Sequence, residues 1–167
     1  MITYISGGER SGKSSYAQNL ALELSDEPIY LATAKAYDGN FEERIKRHQA
    51  ERDERWTNIE ERFELSKVLP SNRVVVIDCV TLWLSNYFSK TKGNRDESLQ
   101  LIKNEFKKLK DYQGHLIFIS NEIGMGTHAD TQIGRDFVEV QGWINQHIAK
   151  NADEAFFMVS GLPLKLK

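Results

Sequence analysis

An eight-residue run near the start of the chain has the clearest chemical meaning. It reads Gly7, Gly8, Glu9, Arg10, Ser11, Gly12, Lys13, Ser14, so that two glycines separated by four residues are followed by Lys and Ser. This is the pattern of a phosphate-binding loop, in which backbone amides surround the phosphates of a nucleotide. Lys13 would reach the outer phosphates, and the Ser14 hydroxyl can ligate Mg²⁺. The sequence predicts Lys13 as a catalytic cation and Ser14 as a metal ligand.

The segments on either side of this loop support the same interpretation. Ile2 to Ser6 is predicted to be a strand. An amphipathic helix is predicted after the loop from the apolar positions Tyr16, Ala17, Leu20, Ala21 and Leu24. A strand before and a helix after let the loop amides and the helix N-terminus converge on phosphate. The alternative is a chance glycine-rich turn, and two correct flanks argue against it.

A second candidate is the carboxylate of Asp78, which ends the apolar run Val74 to Asp78. If this run is a buried strand, Asp78 lies at its carboxyl end, where ligands bind in open parallel sheets. There it could complete the Mg²⁺ shell begun by Ser14. An apolar run that ends in Asp is common by chance, so this assignment depends on its pairing with the phosphate loop.

A third candidate lies in the highly charged segment Phe41 to Trp56, where Arg44, His48 and Arg52 recur at intervals of four. In a helix these three side chains would share one face. Two guanidinium groups beside His48 would hold a phosphate, disfavour the imidazolium form and keep the ring nucleophilic. The alternative is a solvated helix whose arginines pair with neighbouring glutamates.

The remaining elements predict an α/β fold. The apolar runs expected to be strands are Ile2 to Ser6, Ile29 to Thr33, Val74 to Asp78, Leu116 to Ser120 and Ala155 to Ser160. Runs that are apolar throughout suit a parallel sheet covered on both faces by helices. With the phosphate loop, they predict a P-loop NTPase (RecA-like) three-layer fold with a mainly parallel central sheet.

Apolar stripes with helical spacing predict two of the helices that cover this sheet. One stripe runs from Leu99 to Leu109, in a helix expected to stop at Gly114, and the other runs from Ile133 to Ile148 and is expected to pack in the core. The polar segment Ser89 to Asp96 is expected to be a solvated loop before the helix of the first stripe.

Composition limits the class of protein. The 167 residues are 40% hydrophobic, which fits one domain spanning residues 1–167. The 22 basic and 24 acidic residues give a net charge of −2, so no nucleic-acid partner is expected. No run is apolar enough to suggest a membrane span, and the one cysteine, Cys79, cannot form an intrachain disulfide. We expect a cytoplasmic protein in which Cys79 is a small buried hydrophobe without a chemical role.

Several segments together resemble the bifunctional adenosylcobinamide kinase/adenosylcobinamide-phosphate guanylyltransferase family. The matching segments are Gly7 to Ser14, Ala32 to Ala34, Arg44 to Trp56, Asn121 to Gly126 and Ser160 to Lys167. Many families share the phosphate loop, whereas the other segments in this order are more specific. The sequence departs from the family at Thr127, His128, Ala129 and Asp130, where an apolar pair and a proline are common, so the role of this loop stays open.

The resemblance implies an enzyme of cobalamin synthesis and salvage. It would phosphorylate adenosylcobinamide with ATP or GTP and then join GMP from GTP to that phosphate through a guanylyl-histidine at His48. Mg²⁺ would be the cofactor, and a homotrimer is expected. The implied nucleotide contacts are Gly7 to Ser14, Ala32, Thr33, Ala34, Gln49, Ala50, Glu51, Arg52, Glu60 and Asp78.

Two other functions are compatible with a phosphate loop. A kinase of another small hydroxylated metabolite is supported by all of these features except the His48 segment and the terminal motifs. A regulatory P-loop GTPase is disfavoured because Asp78 is followed by Cys79, Val80 and Thr81 rather than by an Asp-x-x-Gly switch, and no Asn-Lys-x-Asp motif occurs.

Overall fold

A computed structural model describes residues 1–34, 53–126 and 128–167. The strands in these ranges are β1 (Ile2–Gly7), β2 (Ile29–Ala32), β3 (Thr57–Glu60), β4 (Val74–Asp78), β5 (His115–Asn121), β6 (Glu154–Val159) and β7 (Leu162–Lys165). The α-helices are α1 (Lys13–Leu24), α2 (Val80–Lys90), α3 (Arg95–Leu109) and α4 (Gln132–Asn151), and a 3₁₀ turn spans Leu65–Lys67. Of the helices described, none combines the length and the apolar character that a membrane crossing requires.

The strands of the described ranges form one sheet in the order β3-β2-β4-β5-β1-β6-β7. All neighbouring pairs are parallel except β6 and β7, which are antiparallel. The predicted α/β fold with a mainly parallel sheet is therefore confirmed. The five predicted strands are present, with no end shifted by more than one residue. The sequence analysis missed β3 and β7, which lie at the two edges of the sheet and are mostly exposed.

Helices cover both faces of the sheet, which explains why the central strands are apolar throughout. On one face, α2, α3 and α4 bury large side chains such as Trp83, Phe106 and Phe118. On the other face, Ala17 and Ala21 of α1 lie in a second cluster with residues of β1, β4 and β5. Small residues let a helix approach a sheet closely. The phosphate loop, which leads directly into α1, is thereby held close to the strands.

Several details differ from the sequence predictions. The helix α3 ends at Leu109, so Gly114 does not terminate it. The segment expected to be a loop from Ser89 to Asp96 is shorter, because α2 continues to Lys90 and α3 begins at Arg95. The Asn94 side chain accepts a hydrogen bond from the amide of Glu97 and caps α3, which fixes this early start. Ile133, expected to pack in the core, is 59% exposed.

Gly114 instead lies where two backbones meet. A Cβ at this position would lie 2.1 Å from the carbonyl oxygen and 2.6 Å from the amide nitrogen of Arg73. The Arg73 carbonyl also accepts a hydrogen bond from His115 at the start of β5. A side chain at Gly114 would therefore push apart the segments that lead into β4 and β5, two central strands.

We predict that Gly114→Ala lowers the free energy of unfolding by about 1–3 kcal/mol, because the new methyl group overlaps backbone atoms that cannot move independently. The matched control is Gly142→Ala inside α4, where a Cβ meets no atom within 4 Å. That change should leave the stability unchanged or raise it by about 1 kcal/mol through helix propensity. Urea titration of the three proteins measures both effects. Equal stability of the two variants would contradict the packing argument.

Candidate active site

The candidate residues lie at the carboxyl edge of the sheet, as their sequence positions predict. Ala32 pairs with Asp78 on one side and with Glu60 on the other. Gly7, at the start of the phosphate loop, pairs with Asn121 at the end of β5. Because parallel strands end at the same edge, the structure brings together the predicted residues of four segments: 7–14, 32–34, 60 and 78. His48 and the predicted contacts Gln49, Ala50, Glu51 and Arg52 lie outside the described residues.

The two motif glycines are required by the shape of the loop. Gly7 has φ 153° and Gly12 has φ 92°, conformations that other residues rarely adopt. A Cβ on Gly7 would lie 2.7 Å from the carbonyl oxygen of Met158 and 2.7 Å from the Ser11 hydroxyl. By contrast, a Cβ on Gly8 would meet no described atom within 4 Å. The motif therefore depends on Gly7 and Gly12 for steric reasons that do not apply to Gly8.

Lys13 begins helix α1 and turns back over the loop. Its Nζ donates hydrogen bonds to the Gly8 carbonyl oxygen at 2.5 Å and to Ser11 Oγ at 3.4 Å. The residue preceding the helix is Gly12, which has no side chain to cap the helix N-terminus. The first amides of α1 thus have no side-chain cap, and the ammonium group of Lys13 lies against the loop, so both can stabilise phosphate oxygens.

Asp78 is joined to the start of α1 by a hydrogen bond. The Ser14 hydroxyl donates to Asp78 Oδ2 at 3.2 Å, and the Tyr30 hydroxyl donates to the same oxygen. Two adjacent ligands of an octahedral Mg²⁺ ion lie about 3.0 Å apart, because each metal–oxygen bond is about 2.1 Å. The separation of the Ser14 and Asp78 oxygens fits that geometry. Mg²⁺ commonly takes one or two protein oxygens and completes its shell with water and phosphate.

Thr33 locks the end of β2 to the end of β4. Its amide donates to the Asp78 carbonyl at 3.0 Å, and its hydroxyl accepts from the Cys79 amide at 2.9 Å and donates to the Cys79 carbonyl at 2.8 Å. The Asn86 side chain of α2 donates to the Thr33 carbonyl at 2.8 Å. Thr33 is fully buried, so Ala32 and Ala34 are the accessible positions of this predicted nucleotide-contacting stretch.

Cys79 lies next to the site but is not a nucleophile. Its side chain is buried, and burial, with a smaller contribution from the Asp78 carboxylate, raises the pKa of the thiol to about 12. A thiol with that pKa is protonated at neutral pH and unreactive. The structure therefore agrees with the interpretation of Cys79 as a small buried hydrophobe.

The sequence analysis missed the turn between β6 and β7 as a part of the site. Ser160 and Gly161 have φ 51° and 84°, as in a two-residue hairpin turn of type I′. The Gly161 amide donates to the Ser11 carbonyl at 3.0 Å, and the Gly161 Cα lies 3.1 Å from the position of a Cβ on Gly12. The Ser-Gly pair is a recognisable turn signal, which the assignment of Ser160 to a strand obscured. This turn therefore packs against the phosphate loop and holds it through a backbone hydrogen bond.

Comparisons with known sequences identify related proteins along nearly the whole chain. The profile of the family described as cobinamide kinase / cobinamide phosphate guanyltransferase matches residues 3–166. The bifunctional adenosylcobalamin biosynthesis protein CobP of Pseudomonas aeruginosa is 37% identical, over 98% of this chain and 95% of that protein. The bifunctional adenosylcobalamin biosynthesis protein CobU of Escherichia coli is 30% identical over the full length of both chains.

Solved structures support the fold alone. An ATPase from the type III secretion system of pathogenic bacteria has a TM-score of 0.57 at 11% identity, covering 98% of this chain and 56% of the other. The flagellar accessory protein FlaH of Methanocaldococcus jannaschii has a TM-score of 0.50 at 16% identity, covering 99% of this chain and 77% of the other.

We predict that Asp78→Asn weakens the dependence on Mg²⁺ more than it weakens nucleotide binding. The amide oxygen can still accept the hydrogen bonds of Ser14 and Tyr30, but the charge that faces the metal is lost. The Mg²⁺ concentration for half-maximal turnover should rise about tenfold or more, with little change in the Kd for metal-free nucleotide. Asp111→Asn, in an exposed loop, is the control. An unchanged Mg²⁺ requirement would mean that another carboxylate, such as Glu122, is the ligand.

Proposed function

Because this chain belongs to the cobinamide kinase / cobinamide phosphate guanyltransferase family, we propose that it catalyses two successive transfers in cobalamin biosynthesis. The first moves the γ-phosphoryl group of ATP or GTP to the hydroxyl group of adenosylcobinamide. The second moves GMP from GTP to the new phosphate and gives adenosylcobinamide-GDP. The observation that carries this proposal is the complete phosphate loop, with Lys13 and the Ser14–Asp78 pair, at the open edge of the sheet.

In the proposed kinase step, the acceptor oxygen forms a bond to the γ-phosphorus while the bond to the bridging oxygen breaks, so that the nucleoside diphosphate leaves. Negative charge grows on the leaving oxygen and spreads over the transferred group. The loop amides and Lys13 stabilise that charge because they point to where it develops. Ser14 and Asp78 would hold Mg²⁺, which supplies further positive charge next to the phosphates.

In the proposed guanylyl transfer, an imidazole nitrogen of His48 attacks the α-phosphorus of GTP and pyrophosphate leaves. The phosphate oxygen of the acceptor then attacks the guanylyl-histidine and restores the free imidazole. The assignment of His48 rests on the resemblance of the segment from Arg44 to Trp56, since His48 lies outside the described residues.

Topology supports this assignment. The connection between β2 and β3 joins parallel neighbours, so it leaves the carboxyl edge and must return the chain to the amino edge. It starts directly after Thr33, which is bonded to Asp78 and Cys79. At its other end, Trp56 packs edge-to-face on Tyr30, whose hydroxyl is bonded to Asp78. The connection that contains His48 therefore begins beside Asp78, and Trp56 at its other end contacts Tyr30, which is itself bonded to Asp78.

Three further properties belong to the same proposal. Residues 1–167 act as one kinase and nucleotidyltransferase domain, because the residues assigned to both transfers belong to one sheet and its connections. The use of ATP and GTP suits a cytoplasmic enzyme. A homotrimer is proposed by resemblance to the family.

We predict that Lys13→Ala lowers the rate of nucleotide-dependent cobinamide phosphorylation by at least about 100-fold. The variant loses the ammonium group of Lys13, and removal of one transition-state donor typically costs that much. Lys107→Ala, at an exposed position of α3, is the control and should retain the wild-type rate. Wild-type turnover of Lys13→Ala would contradict the assignment of the loop.

We predict that His48→Ala abolishes GMP transfer but keeps much of the kinase activity, because γ-phosphoryl transfer to a hydroxyl needs no histidine nucleophile. The protein is incubated with GTP labelled at the α-phosphate, and bound label is measured after acid and after base. A phosphoramidate on histidine is stable in base and lost in acid, unlike a serine or threonine phosphate ester.

The control is His147→Gln near the C-terminal end of α4, at the amino edge of the sheet, which should take up label like the wild type. If the wild-type protein takes up no acid-labile label, or if His48→Ala takes up as much, the guanylyltransferase half of the proposal is wrong and the kinase half remains.

A further inference from the structure

Glu122 lies beside the phosphate loop without a role in the steps described so far. It directly follows β5, the strand between β1 and β4 in the sheet. Its amide donates a hydrogen bond of 3.0 Å to the carbonyl oxygen of Gly7, the first residue of the loop. Glu122 therefore has a fixed backbone position next to the phosphate loop.

Asn145 of α4 orients the Glu122 carboxylate. Its Nδ2 donates to Glu122 Oε2 at 3.4 Å and to the Asn121 carbonyl at 3.2 Å. The amide oxygen of Asn145 accepts from Ser120 Oγ at 2.6 Å and from Gln141 Nε2 at 2.8 Å. A flipped amide would direct NH₂ at those two donors, so this network fixes the side of Asn145 that faces Glu122. Ser120, Gln141 and Asn145 are all buried.

The other carboxylate oxygen lies close to two residues that line a cavity. Glu122 Oε1 lies 3.9 Å from the position that a Cβ on Gly124 would occupy, and Val138 Cγ1 lies 3.7 Å from the same point. Gly124 and Val138 also line a cavity of about 320 Å³ between the loop after β5 and the first turns of α4. Gly124 places no side chain between Glu122 Oε1 and this cavity. The volume of the cavity is in the range of small-molecule sites.

Arginine side chains in the wall of this cavity are already paired. Arg95 Nη1 lies 2.5 Å from Glu139 Oε2 and 3.6 Å from Asp136 Oδ1. Arg135 Nη1 donates to the carbonyl oxygens of Ala129 and Asp130 at 2.9 and 3.0 Å. The lining contains two arginines and two carboxylates, Asp136 and Glu139, so their formal charges balance, which suits an uncharged polar ligand better than a second anion.

Resting on the proposed function, we propose that this cavity holds the neutral, hydroxyl-bearing arm of the acceptor and that Glu122 is the general base of the kinase step. The acceptor oxygen bonds to the γ-phosphorus, the bond to the leaving nucleoside diphosphate breaks, and the hydroxyl proton passes to Glu122 Oε1. Asn145 is a positioning residue that holds Oε2 and keeps Oε1 turned to the cavity.

This role separates the two reactions of the enzyme. A hydroxyl group loses a proton when it becomes a phosphate ester, so a base accelerates its phosphorylation. The acceptor of the guanylyl transfer is a phosphate oxygen, which is already ionised near neutral pH. Glu122 is therefore needed for the first transfer and not for the second.

The test compares Glu122→Gln with the wild type in both reactions. The amide keeps the size of the side chain but cannot accept the proton, so the kcat of cobinamide phosphorylation should fall about 100-fold or more. The Kd for ATP and the rate of GMP transfer to supplied adenosylcobinamide phosphate should stay within about threefold, which also shows that the variant is folded. Glu23→Gln on the exposed side of α1 is the matched control and should behave like the wild type.

A second variant, Gly124→Val, fills the cavity without removing the carboxylate. It should raise the KM for cobinamide about tenfold or more and leave the Kd for ATP unchanged, and it decides the question if Glu122→Gln does not fold. Full kinase activity of Glu122→Gln, recovery of its activity at high Mg²⁺, equal loss of both transfers, or an unchanged KM of Gly124→Val would each overturn the proposal. A wild-type protein that does not phosphorylate cobinamide would instead refute the proposed function, and this inference with it.

Discussion

The parallel pairing of β2, β4, β5 and β1 is the constraint on which the rest of the structure depends. Parallel strands end at one edge, so residues distant in sequence, such as Gly7 and Asp78, reach the same place without any direct attraction between them. The hydrogen bond between Ser14 and Asp78 is then a consequence of the register. A shift of one residue in β4 would turn Asp78 to the opposite face and remove this contact.

A residue of the site could be predicted when the pattern that identifies it lies in the neighbouring sequence. The phosphate loop could be identified because its glycines, lysine and serine are contiguous and their backbone angles are set within the loop. The central strands could be identified because burial on both faces leaves them apolar throughout. The edge strands β3 and β7 were missed because they are mostly exposed and keep no such pattern. The glycine at position 114 was wrongly predicted to end a helix. It is required by a close contact with the backbone of Arg73, which only the folded chain creates.

Long-range polar contacts were not predictable from sequence for a related reason. Tyr30 bonds Asp78 across 48 positions, and Asn145 bonds Glu122 across 23. Tyrosine in a strand and asparagine in an amphipathic helix are ordinary in composition, so neither carries a local signal. Their partners are decided by the strand order and by the rotation of α4 about its axis. Such residues are found only once the sheet order is known.

The strand alternation also separates the two carboxylates of the site. Ile77 packs on the face covered by α2, α3 and α4, so the next residue, Asp78, faces α1 and its Ser14. Glu122 contacts Asn145 and therefore faces α4. In the proposed kinase step, the phosphates lie between the two, with the metal-binding oxygens on one face of the sheet and the acceptor cavity on the other. An acceptor that enters from the side of α4 approaches the γ-phosphorus without displacing Ser14 or Asp78. The acceptor hydroxyl group can thus reach the nucleotide from the α4 face of the sheet, while the metal-binding residues on the α1 face hold the phosphates in place.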